Sequence, residues 1–148
     1  MDSKDFAKLI LVEANKQSKL LNYTQLQKIM YICDGVLLAK YNKNIINENC
    51  QVWDYGPVYP KVYKWYSKQN PKSITELSKN TKAQLEVDST IQEVISAAIT
   101  KFGSIPASAL STWSHKDGGP WAIARATTGM YSQISKDVMK LFFKSELK

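Results

Sequence analysis

Residues 24–41, TQLQKIMYICDGVLLAKY, carry apolar side chains almost all the way round a helix. Leu26, Met30, Cys33, Leu37 and Tyr41 step by four and three along one stripe, and Ile29, Ile32 and Val36 flank it. A surface helix needs only one apolar stripe, so a face this wide asks for partners on several sides. The chain is therefore expected to fold around this segment as a central helix, with Asn22 or Thr24 as its cap.

The flanking pattern is also mostly of helical period. Phe6, Leu9, Ile10 and Ala14 mark a first helix within residues 4–20. Ile91, Val94, Ile95, Ala98, Ile99 and Phe102 mark a strongly amphipathic one that Gly103 should end. Shorter helices are expected after Pro106 and after Pro120, and a last one from Ser135, with Val138, Leu141 and Phe142 as its apolar stripe. Between Tyr41 and Trp53 the asparagines of YNKN precede, and those of NEN separate, two short runs, Ile45-Ile46 and Gln51-Val52-Trp53, which predicts a small hairpin whose second run Gly56-Pro57 ends. Residues 70–86 are polar and aperiodic and read as a loop. The expected fold class is mainly α: one compact domain over 1–148, of about six helices with one short β-hairpin. A chain of 148 residues can bury a core of that kind without staples.

Composition narrows the function. Cys33 and Cys50 form no CxxC pair and read as reduced thiols of a cytoplasmic protein, and no apolar run is long enough to span a bilayer. The formal charge of +7 attracts anionic partners. Nineteen of the twenty basic residues are lysine, however, and only Arg125 offers the guanidinium fork suited to guanine edges and phosphates. The basic groups are also spread, eleven against six acidic in residues 1–74 and nine against seven in 75–148. Nucleic-acid binding, for example as a repressor, is accordingly the second reading.

Catalytic sets are absent from the pattern. His115 is the single histidine, and with two cysteines distant from it in sequence it recommends neither a metal site nor a Cys-His hydrolase. No phosphate-binding glycine loop occurs, since Pro120 follows Gly118-Gly119 and removes an amide. No catalytic residue, metal or cofactor is expected. What stands out is WDYGPVYPKVYKWY, residues 53–66. Tyr55, Tyr59 and Tyr63 step by four and would line one outward face of a helix that began early, while Trp53, Val58 and Val62 would serve the core. Tyrosine gives large, stiff, amphipathic contact area, so these three are the candidate partner-binding residues. His115 is expected to tie down the HKDGG turn through its ring nitrogens, with Trp121 packed beneath.

Three motifs resemble one family. They are LQKIMY (26–31); Trp53-Asp54-Tyr55-Gly56-Pro57-Val58-Tyr59-Pro60-Lys61-Val62-Tyr63; and LSTWSHKDGGPW (110–121). Together they resemble the Panacea antitoxin domain, the SocA-like or phage-associated GepA-like family. Trp53, Gly56, Pro57, Val58, Pro60, Val62, His115, Pro120 and Trp121 stand at the motif positions. Asn42 and Asn44 replace a glycine usual after the second helix, and Cys33-Asp34 stand where small or aromatic residues are common. The resemblance implies a mainly helical, cytoplasmic antitoxin, often carried on prophages or plasmids, that neutralises a cognate protein toxin encoded by an adjacent gene through direct protein-protein binding. Partner toxins within the family are unrelated to one another, and one member works instead as an adaptor that delivers its toxin to a protease.

Overall fold

The computed structural model describes residues 1–69 and 88–147. The predicted loop over 70–86 lies outside the described residues. The fold is mainly α, with seven helices and a two-stranded antiparallel hairpin among the described residues.

Helix α1 (Ser3–Lys16) starts at Asp2, whose carboxylate accepts the Lys4 amide at 2.8 Å. Helix α2 (Tyr23–Tyr41) opens with a reciprocal capping box between Asn22 and Gln25. From Gln25 to Gly35 every residue of α2 is buried, three turns enclosed on all sides, as the width of its apolar face requires. It ends at Asn42, which holds φ at +53° in the left-handed region. Asparagine tolerates that conformation nearly as well as glycine, which accounts for the replacement seen in the sequence.

The hairpin differs from the expected one. Its strands are β1 (Gln51–Trp53) and β2 (Gly56–Val58), paired Gln51 with Val58, Val52 with Pro57 and Trp53 with Gly56 around an Asp54-Tyr55 turn. Gly56-Pro57 does not stand beyond the hairpin but opens its second strand. Ile45-Ile46 is no strand, because its carbonyls are taken elsewhere: Ile45 accepts from the Met1 ammonium at 2.7 Å and Ile46 from Lys136 at 2.9 Å, and the Ile46 side chain is buried. Proline is tolerated opposite Val52 for a specific reason. The N–H and C=O of Val52 point to the other side of β1, to Ser132 and Tyr131 at 2.9 and 2.7 Å, so the 52/57 pair needs no N–H from residue 57. Segment 131–134 thereby lies along the outer edge of β1, and the Ile134 amide reaches the Cys50 carbonyl at 2.8 Å.

Helix α3 (Pro60–Ser67) begins at proline, where a missing N–H costs nothing. Helices α4 (Ser89–Phe102), α5 (Ala107–Ser114), α6 (Pro120–Thr127) and α7 (Lys136–Glu146) complete the described chain, and α1, α4, α5 and α7 surround α2. Helix α7 buries Met139 and Phe143, while Leu141 is largely exposed, so its inward stripe is shifted from the expected Val138, Leu141 and Phe142. The reason is Gly35 on α2: a Cβ there would stand 2.2 Å from the Phe143 ring, and the missing side chain lets the two helices close on that ring. No single helix among the described residues is long and apolar enough to cross a membrane.

Candidate partner-binding surface

One face of α2 carries Gln27, Lys28, Tyr31 and Asp34, all buried in the middle of an apolar helix. Buried polar groups call for partners, and Gln27, Lys28 and Asp34 find theirs in the GPVY segment. The Gln27 side chain holds Tyr59 by both backbone groups, accepting its amide at 2.8 Å and donating to its carbonyl at 3.2 Å. The Tyr59 hydroxyl donates to Asp34 Oδ2 at 2.7 Å, and Lys136 of α7 donates to the same oxygen at 2.8 Å. Burial pushes the Asp34 carboxyl up, against the opposing pull of Lys136 and Tyr59. Lys28 donates to the Pro57 carbonyl at 3.1 Å, and burial lowers its pKa to about 8. Gly56, at φ +116°, nests between Lys28 and Ser114, where a Cβ would stand 2.6 and 2.4 Å from Cε and Oγ.

Tyr59 is therefore fully buried and does not share an outward face with Tyr55 and Tyr63. A step of four residues aligns side chains only within a helix, but Tyr55 lies in the hairpin turn and Tyr59 is the residue before Pro60 opens α3. Gly56, Pro57, Val58 and Val62 are buried with it, and Pro60 is partly so. Trp53, expected in the core, is half-buried at the rim.

What the platform supports is a row of rings contributed by four separate segments. Tyr131 meets Trp53 at 5.8 Å between centroids, Trp53 meets Tyr63 at 4.9 Å, Tyr63 meets Tyr23 at 5.4 Å, and Tyr23 meets Tyr66 at 5.5 Å. The spacings and tilted or edge-on angles are those of favourable aromatic pairs. Tyr63 is 40% exposed and Tyr131 63%, while Tyr55 projects from the adjacent turn at 73%. Tyr131 holds φ at +62°, a costly conformation for a bulky residue, and the hydrogen bond its amide donates to the Val52 carbonyl keeps it there. Sequence periodicity found Tyr55 and Tyr63 but not Tyr23 or Tyr131, which sit on other segments.

Behind the row, Trp121 at the start of α6 donates its indole N–H to the Trp53 carbonyl at 2.9 Å, and His115 lies against Trp121 with 4.0 Å between ring centroids. Pro120, buried, is the first residue of that helix. His115 does not tie its own turn with both ring nitrogens as expected. Its backbone amide caps α5 through Ser111 and Thr112 at 3.2 Å each, and its Nε2 is buried without a partner among the described residues. Burial, then the nearby Lys28 charge, holds its pKa below the usual value. Both thiols are buried, and burial raises Cys33 well above the usual thiol range and Cys50 to about 12. Neither is poised as a thiolate.

The comparisons with known proteins bear on the same elements. The family model described as antitoxin SocA-like, Panacea domain, matches residues 26–122, which take in the polar face of α2, the hairpin, α3, His115 and Trp121. Tyr23 and Tyr131 fall outside that span. Antitoxin SocA of Caulobacter vibrioides (strain NA1000 / CB15N) is 30% identical over 131 residues, covering 83% of this chain and 70% of that protein. No solved structure matches the chain. With two thirds of its length matched by the family model, and a relative at that identity over most of both proteins, this chain belongs to the SocA-like Panacea-domain antitoxin family.

Proposed function

We propose that this protein is a non-enzymatic antitoxin of the cytoplasm that neutralises a cognate protein toxin, encoded by an adjacent gene, by direct binding through the aromatic row. The observation that carries this reading is the row itself: large, stiff rings from four segments, partly open to solvent and braced from behind by a buried polar platform. Such side chains lose little freedom on binding and supply the area from which interface hot spots are built. The platform and Trp53 lie within the span matched by the antitoxin family model, apart from Lys136, whereas the rings at Tyr23 and Tyr131 lie outside it.

The deciding experiment expresses the adjacent gene alone and together with this chain. Growth arrest by the neighbour, relieved by co-expression and accompanied by a stable complex of the two proteins, is the expected outcome. A neighbour that is harmless alone, or that still arrests growth beside this protein, overturns the reading.

A further inference from the structure

On the side of α2 away from the platform lies a cleft of about 720 Å³. Val36 forms part of its floor, Val94 and Ala97 of α4 part of one wall, and Ala109 and Trp113 of α5 with Phe143 of α7 part of the other. The floor runs from Ile32 to Lys40, about 12 Å of α2 or two helical turns. Ala97 and Ala109, one on each wall, are both exposed, so the cleft is open at its mouth. Small-molecule sites enclose most of their ligand's surface, and an open apolar trough does not. It fits a ligand with one apolar and one polar face, and its two wall alanines leave room for a helical backbone to approach.

The charges at the cleft say more about the occupant. Helices α2 and α4 run antiparallel, since Lys43 past the end of α2 pairs with Asp88 at the cap of α4, and Gln25 near the start of α2 reaches Ile105 beyond the end of α4. Lys40 and Lys101 therefore mark opposite ends of the trough. Neither has an ion-pair partner among the described residues; their ammonium groups lie 5.4 Å from the rings of Tyr41 and Phe102. Glu93 shares the Lys40 end, and Glu146 is engaged by Lys116 at 2.7 Å. The uncompensated positive charge is thus at the Lys101 end.

We propose that this cleft receives an amphipathic helix of the toxin, with its apolar stripe against Val36 and its acidic end against Lys101. The inference rests on the antitoxin reading and adds a second contact to it. Trough and aromatic row share no residue, so a partner that reaches both gains effective concentration at each.

The test titrates a catalytically inactive form of the adjacently encoded toxin against the full chain and its Ala97→Trp and Lys101→Glu variants, with hydrogen exchange on the complex. Each variant is expected to weaken binding tenfold or more at an unchanged melting temperature, and the complex to show protection over residues 94–101 and over one helix of the toxin. Wild-type affinity in both variants without that protection, while Tyr63→Ala still loses binding, overturns the cleft and leaves the proposed function standing. Failure of the wild-type chain to bind the toxin removes the reading beneath both. Should Ala97→Trp lower the melting temperature, Lys101→Glu, at an exposed position, decides alone.

Discussion

Gly56 and Lys28 meet at the point where the hairpin is fastened to the central helix, and each makes a separate prediction. Alanine at position 56 would have to adopt φ +116° and place a methyl group within 2.6 Å of Lys28 Cε and 2.4 Å of Ser114 Oγ. Backbone strain and overpacking act together there, so Gly56→Ala should lower unfolding free energy by about 2 kcal/mol or more, read from chemical denaturation. Lys28 should make stability depend on pH. Its pKa is about 8 in the folded protein against an ordinary 10.5. Below pH 8 both states carry the charge, and the folded state bears the full cost of burying it. As pH rises from about 8 to 10.5 the folded form loses its proton first, so the contribution of this side chain improves, by about 3 kcal/mol in total. Compared with Lys28→Met, the wild type should therefore gain stability across that window. Parallel pH profiles for the two proteins would show that Lys28 is not held as described.

At the level of elements, the crossing of α2 and α7 depends on a single absent side chain. Gly35→Ala would favour the helix by roughly 0.5–1 kcal/mol through propensity alone. The added methyl would meet the buried Phe143 ring at 2.2 Å, however, and Phe143 is itself wedged against Tyr31 and Trp113 at centroid distances of 5.3 and 6.1 Å. Overpacking of that kind costs about 1–3 kcal/mol, so the net change should be destabilising. The same contact shows where sequence pattern stops being informative. Helices were legible because apolar spacing of three and four residues needs no knowledge of the partner, and α1, α2 and α4 follow it. The inward stripe of α7 was not, because a glycine 108 residues earlier in the chain selects it. The hairpin was misplaced for a related cause: Ile45-Ile46 has strand-like side chains, but its carbonyls are claimed by Met1 and Lys136 from distant segments. At the candidate site, only the tyrosine spacing was visible. The pairing of Tyr131 with Trp53 had no local trace.

For the molecule as a whole, surface and support are separable. Tyr63→Ala and Tyr131→Ala remove partly exposed rings and should each cost about 2 kcal/mol or more of toxin binding if they are hot spots. Tyr131→Ala should leave the melting temperature nearly unchanged, and Tyr63→Ala, which also touches Tyr23 and Trp53, should lower it slightly. Binding isotherms paired with melting curves check both. The charge of +7 belongs to the same scale. If an acidic toxin is steered toward a lysine-rich surface, added salt should slow association while dissociation changes little, which stopped-flow mixing at two ionic strengths would resolve.

The strand-like segment 131–134 has a consequence for when the protein becomes competent. It joins β1 from roughly 80 residues downstream, and with it Tyr131 reaches Trp53. Contacts of such sequence separation form late, after the local helices, because a large loop must first be closed. At the usual pace of synthesis, about 5–20 residues per second, roughly 4–16 seconds pass between the making of Trp53 and of Tyr131. A nascent chain that has already folded α1 and α2 thus still lacks one end of its aromatic row. If the aromatic row is the toxin contact, the interval between emergence of β1 and arrival of segment 131–134 bounds the earliest moment at which inhibition can begin in a cell where the toxin is translated at the same time.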